Sequence, residues 1–222
     1  MKRAGQWVVL WLAIISTVIL VTILSTLLTF PIYAHMDDLP QIAAMSLGRL
    51  YHNYLQLMAY LNFPWIGTLR MQDFPTSLHG AVHFADVRRL FIFDILVALV
   101  TLPFAIRWLH RLKATSKRYF LVRPFMIGAV VPIGLTALLA MNFDRFFIVF
   151  HEMLFRNQDW LFDPATDPII NVLPEGFFML CFLLAFGLFE AVMIWGIWRG
   201  RQDARLGSKW LNHNSTQGHE MH

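Results

Sequence analysis

The sequence predicts an all-α membrane protein of four transmembrane helices, N-in and C-in, with amphipathic helices and loops on the outer face. Three observations lead there. Hydrophobic residues make up 57% of the chain and charged residues only 14%, too apolar for a surface facing water on all sides. Four apolar runs are each long enough to cross a bilayer at about 1.5 Å per helical residue. The basic residues stand in short clusters beside those runs, which reads as topology and not as a nucleic-acid surface. No nucleic-acid partner is expected, and the 222 residues are read as a single membrane domain, 1–222.

The first span is placed at 7–30, where Trp7 to Phe30 carries no charge. It reads as an uncleaved anchor: a signal peptide has a shorter apolar core, and Ile32-Tyr33-Ala34 is a poor cleavage site. The other spans are placed at 90–109, 124–141 and 176–198. Pro132 and Gly134 can kink the third without ending it.

Arg107, Arg111, Lys113, Lys117, Arg118 and Arg123 fill one connection, and Arg199, Arg201, Arg205 and Lys209 follow the last span. Both belong in the cytoplasm by the excess of positive charge, together with Lys2 and Arg3. The polar tail from Gly207 to His222 is read as a solvated cytoplasmic end. The segments 31–89 and 142–175 mix signs or are acidic and face outward. In the first, Gln41 to Leu61 repeats apolar residues at three- and four-residue steps, an amphipathic helix lying on the outer leaflet or packed on the spans. Asn62-Phe63-Pro64 ends it. The lone Cys181, inside an apolar run, is a packing thiol and allows no internal disulfide.

Two outer stretches are more polar than a connection requires. Ser77 to Arg89 leads into the second span, and a helix starting near Val82 would align His83, Asp86 or Val87, Leu90 and Asp94. Phe150 to Glu175 carries His151, Asn157, Asp159, Trp160 and Asp163. Both enter the membrane from one side, so His83 and His151 can meet although 68 positions separate them. Imidazoles titrate near neutrality, and a pair of them at a lipid ester suits acyl transfer. No serine, threonine or cysteine there stands in a nucleophile setting, so either the substrate supplies the nucleophile or the chemistry differs.

Two other readings remain. A zinc-dependent membrane hydrolase would use His79 and His83, four apart, and His151-Glu152; Phe155 stands where that motif needs its second histidine, and Gly80 weakens a helix between the first pair. In a non-catalytic lipid-binding or scaffolding protein both histidines are interfacial anchors.

Together the stretches resemble the lipoprotein intramolecular transacylase (Lit) family of bacterial membrane proteins. The matching residues are Phe74-Pro75, Ser77, Gly80, His83-Phe84, Asp86-Val87 and Leu90-Phe91, then Phe150-His151, Phe155, Asn157, Trp160, Asp163-Pro164, Asp167, Ile170 and Leu173-Pro174. The similarity covers most of the chain except both termini. It implies transfer of the sn-2 acyl chain of a diacylglyceryl-modified lipoprotein to the α-amino group of its own N-terminal cysteine. The enzyme would sit in the bacterial cytoplasmic membrane among its lipids, with the site on the extracellular side and no cofactor or metal. His83 and His151 are the expected acid/base pair, and Asp86, Asn157, Trp160, Arg88 and Asp163 are expected to orient them or bind substrate. Snorkelling explains Arg88, Arg89 and Trp160 equally well.

Overall fold

The computed structural model describes the backbone of residues 3–219 and the side chains of residues 4–205. In chain order the elements are α1 (Arg3–Met36), α2 (Leu39–Ile42), α3 (Leu47–Asn62), α4 (Leu78–Ala114), a 3-10 turn (Arg118–Leu121), α5 (Val122–Met141), α6 (Phe143–Leu154), a second 3-10 turn (Pro168–Val172) and α7 (Glu175–His219). Four stretches are long and apolar enough to cross a membrane: Ala4–Met36, Leu78–Ala114, Arg118–Met141 and Glu175–Arg205. The side chains of the polar tail beyond Arg205 lie outside the described residues.

The helices run longer than the apolar spans that announce them. α1 passes straight through Pro31, which has no N–H for the carbonyl of Leu27 four residues back. Tyr51 of α3 supplies the missing donor, its hydroxyl bonding that carbonyl at 2.7 Å. The helix therefore continues at no cost in buried polar groups. α4 is one unbroken helix of 37 residues.

The helix expected over Gln41 to Leu61 is split. Asp38 and Ala44 take left-handed backbone conformations, φ 51° and 50°, which interrupt the chain on either side of α2. α3 then starts at Leu47 because the Ser46 hydroxyl accepts from the Arg49 N–H, and it stops before Pro64 as its extended Phe63 requires. Its apolar face is buried: Leu50, Tyr54, Leu57, Met58 and Leu61 pack on the spans. α6 was not anticipated as a helix. Asn142 caps it, Oδ1 accepting from the Arg145 N–H at 2.9 Å, and the cap followed by Phe143, Phe146, Phe147 and Phe150 is its sequence signature.

Two cores hold the bundle. At the end carrying α3 and α6, Phe30 stacks on Tyr54 at 3.8 Å and meets Phe177 edge-on, with Leu50, Phe84, Ile169 and Val172 around them. At the other end Leu10, Ala105, Leu121, Phe125 and Met193 pack together. There Gly200 brings α7 against the first 3-10 turn, since a Cβ would stand 2.7 Å from the Arg118 carbonyl oxygen. Asp203 receives Arg118 through its backbone N–H, Nε and a terminal guanidinium nitrogen. Leu28, Val100, Ile127 and Ile133 point outward, as a lipid-facing surface requires.

Candidate active site

The start of α4 is set by Ser77, whose hydroxyl accepts from the Gly80 N–H at 3.0 Å. Asp167 lies on the other side of this turn, 2% exposed, with Oδ1 accepting the Ser77 N–H at 2.8 Å and Oδ2 the Thr166 hydroxyl. Burial alone would push this carboxyl up, but the bonds from Ser77 and Thr166 outweigh it and hold it below the usual carboxylate value. Only glycine fits at position 80, because a Cβ there would fall on Asp167 Oδ1. The segment entering α4 and the segment after α6 are thus locked together one turn before His83.

His83 is buried, its ring edge-on to Phe155 at 4.9 Å and Phe162 at 5.4 Å. Its Nδ1 is enclosed and has no hydrogen-bond partner. His151 sits in the last turn of α6, and its ring centroid is 5.9 Å from that of His83. Its Nδ1 lies 2.8 Å from the Phe147 carbonyl oxygen, which can only accept, so Nδ1 carries the proton and Nε2 keeps its lone pair. Burial lowers the pKa of His151, opposed in part by that carbonyl, so the neutral imidazole prevails at neutral pH. Trp160 stacks on this ring at 4.9 Å and donates its indole N–H to the Asn157 carbonyl at 3.0 Å.

The loop after α6 is tied to α4 by side chains. Asn157 Nδ2 donates to Asp86 Oδ2 at 3.0 Å, and Asn157 Oδ1 accepts the Asp159 N–H. The other oxygen of Asp86 binds Arg89 at 2.5 Å. The site is therefore two neighbouring imidazoles, one with a free lone pair and one with an unpartnered nitrogen, in an aromatic wall that keeps water sparse. Such a pair can move a proton and stabilise charge on an oxygen placed between them.

A family model described as Lipoprotein intramolecular transacylase Lit matches residues 4–178. The chain belongs to this family. Among solved structures it is similar to the membrane integral lipoprotein intramolecular transacylase Lit from Bacillus cereus, with 26% identity and a TM-score of 0.85 over 94% of this chain and 98% of that one. A variant of that protein with one histidine replaced by alanine matches at 25% identity, with a TM-score of 0.75 over 94% of this chain and 96% of that one. A variant with arginine at a histidine shares the fold at 24% identity, with a TM-score of 0.74 over 93% of each chain. No curated protein matches the chain. A multi-pass, membrane-integral architecture is common to the family structure and to this helix set.

The remaining residues singled out from the Lit-like stretches take different places. Arg88 donates to the carbonyls of Phe63 and Pro64 and lies 4.6 Å over the Tyr60 ring, so it anchors the segment after α3. Asp163 forms the turn before Asp167, its Oδ1 accepting the Ala165 N–H. Asp86 spends its two oxygens on Asn157 and Arg89 and not on an imidazole nitrogen. His79, paired with His83 in the zinc reading, turns instead to Asp159 at 2.5 Å. Among the described residues no group of three or more His, Cys, Asp or Glu side chains is gathered as a metal site. Sequence reasoning missed the partnerships of Asp159 and Asp167. Asp-Pro steps such as Asp163-Pro164 and Asp167-Pro168 are turn signals, but nothing in the sequence names Ser77 as the partner of Asp167 or His79 as that of Asp159.

Proposed function

We propose that this Lit-family protein moves the sn-2 acyl chain of a diacylglyceryl-modified lipoprotein to the α-amino group of the same lipoprotein's N-terminal cysteine. The observation that carries the reading is the meeting of His83 and His151, with a lone pair at His151 Nε2 and an unpartnered Nδ1 on His83. The amine nitrogen attacks the ester carbonyl carbon and gives its proton to His151 Nε2. His83 donates a hydrogen bond to the oxyanion of the tetrahedral intermediate. As the bond from carbon to the sn-2 oxygen breaks, His151 delivers the proton to that oxygen. An amide and a free hydroxyl result, with every atom accounted for and no acyl-enzyme formed. Amine and ester belong to one molecule, so proximity replaces a protein nucleophile and lowers the barrier by several kcal/mol.

The reaction takes place on the extracellular side of the bacterial cytoplasmic membrane. Support comes from charge: Arg111 and Lys113 lie in the last turn of α4 and Lys117 just after it, at the far end of α4 from His83. Asn157 and Trp160 keep His151 in place.

The test is conversion of a synthetic diacylglyceryl-cysteine lipopeptide by the purified protein in vesicles. Substrate and product have the same mass, so fragmentation in tandem mass spectrometry and loss of the free amine report the product. The expected result is an N-acylated lyso-lipopeptide from the wild type, formed about 100-fold or more slowly by His83→Ala or His151→Ala. Unchanged lipopeptide with the wild type, or full conversion by both folded variants, overturns the proposal.

A further inference from the structure

His79 and Asp159 lie outside the imidazole pair, yet they join the same two segments. His79 is 78% exposed, and its Nδ1 donates to Asp159 Oδ1 at 2.5 Å, across 80 residues of sequence. On α4 the residues His79, His83 and Asp86 follow at four- and three-residue steps, so they share one side of the helix. His83 is thereby bracketed by two attachment points for one loop: Asp86 holds Asn157, and His79 holds Asp159.

That loop closes on itself as a turn, the Leu161 N–H bonding the Gln158 carbonyl and the Trp160 indole N–H the Asn157 carbonyl. The Phe155 N–H closes α6 on the His151 carbonyl, and the Asp159 N–H goes to the Asn157 side chain. A loop held at Asn157 alone pivots about one hydrogen bond. A second attachment two residues on limits that pivot, and with it the placement of Trp160, the next residue, whose indole is tied to the Asn157 carbonyl and stacks on His151. An exposed pair of this kind adds little to global stability. Its effect falls on orientation, where an error of about 1 Å can cost a hundredfold in rate.

We infer that the His79–Asp159 pair positions the Asn157–Trp160 loop against His151, so that both residues are positioning residues for acyl transfer. This rests on the transacylase reading above and extends it to two residues outside the imidazole pair, of which Asp159 also places its charge near His83.

The experiment compares kcat, KM and melting midpoint in the same vesicle assay for wild type, His79→Ala, His79→Asn, His79→Gln, Asp159→Ala and the double variant His79→Ala/Asp159→Ala. Asparagine places an amide nitrogen where Nδ1 stands, and glutamine places it one atom further out. The expected result is a kcat about tenfold lower for both alanine variants, with KM within about twofold of wild type and an unchanged midpoint. The double variant is no worse than either single one, because the residues act through one contact. His79→Asn recovers most of kcat and His79→Gln does not. Wild-type kcat in His79→Ala and Asp159→Ala, or no recovery by asparagine, overturns the inference. A wild type that forms no lyso-lipopeptide overturns the transacylase reading instead, so the two failures are distinct.

Discussion

Replacing Gly80 by alanine sets helix propensity against tertiary packing and makes them disagree in sign. Alanine is better than glycine inside a helix by about 1 kcal/mol, so α4 considered alone gains stability. In the folded protein the new methyl falls on Asp167 Oδ1, with the Asp167 carboxyl carbon at 3.0 Å and the Thr76 methyl at 3.2 Å. Asp167 is 2% exposed and has nowhere to retreat. Forcing it aside costs about 1–3 kcal/mol of overpacking, and losing its bond from the Ser77 N–H costs about 1.5–3 kcal/mol more. Set against the propensity gain, the net loss is about 1.5–5 kcal/mol. Thermal unfolding in detergent would then begin several degrees lower, and acyl transfer would fall because His83 lies less than one turn further along the helix. In an Asp167→Ala background the obstacle is gone, and Gly80→Ala should become stabilising by about 1 kcal/mol. A midpoint for Gly80→Ala at or above that of the wild type, or the same sign in both backgrounds, refutes the reasoning.

His151→Ala removes the lone pair assigned to the attacking amine and should lower kcat by about 10²–10⁴, read as lyso-lipopeptide formed per minute. Burial lowers the His151 pKa, so the neutral, active form persists below the usual imidazole value of about 6.5, and the acid limb of the kcat profile should lie below that pH. The same sign governs stability: the unfolded chain binds the proton more tightly, so the contribution is complete above about 6.5 and is lost as pH falls toward the lower folded value. Asp203→Ala leaves the half-buried Arg118 guanidinium without its carboxylate and should cost about 1–3 kcal/mol in chemical denaturation, against a small effect for an exposed pair such as Arg89 with Asp86. Tyr51→Phe leaves the Leu27 carbonyl without its donor and should cost about 1–2 kcal/mol. Pro31→Ala restores a backbone N–H there, so the double variant should recover most of that loss in the same melting experiment.

The imidazole pair was legible because His83 and His151 each stand in an unusually polar stretch that enters the bilayer from one side. The stacking of Trp160 on His151 was not, since no spacing rule relates residues on either side of a loop to the ring they cover. Asn157 shows the same limit: its type suggests hydrogen bonding, yet both ends of its amide serve the loop, to Asp86 and to the Asp159 N–H. The split between α2 and α3 was hidden because alanine at position 44 gives no warning of a left-handed backbone.

Apolar length and charge placement are local properties of the chain, and they alone determine that four helices cross a bilayer and which ends carry the basic residues. The N-caps at Ser46, Ser77 and Asn142 are equally local, since each serine or asparagine binds a donor three residues away. Only the tertiary structure decides that Gly80 must be glycine, that Tyr51 repairs the gap left by Pro31, and that His79 and Asp86 grip one loop. Those contacts bridge segments 24 to 90 residues apart, where packing around a shared core, and no periodicity along the chain, chooses the partner.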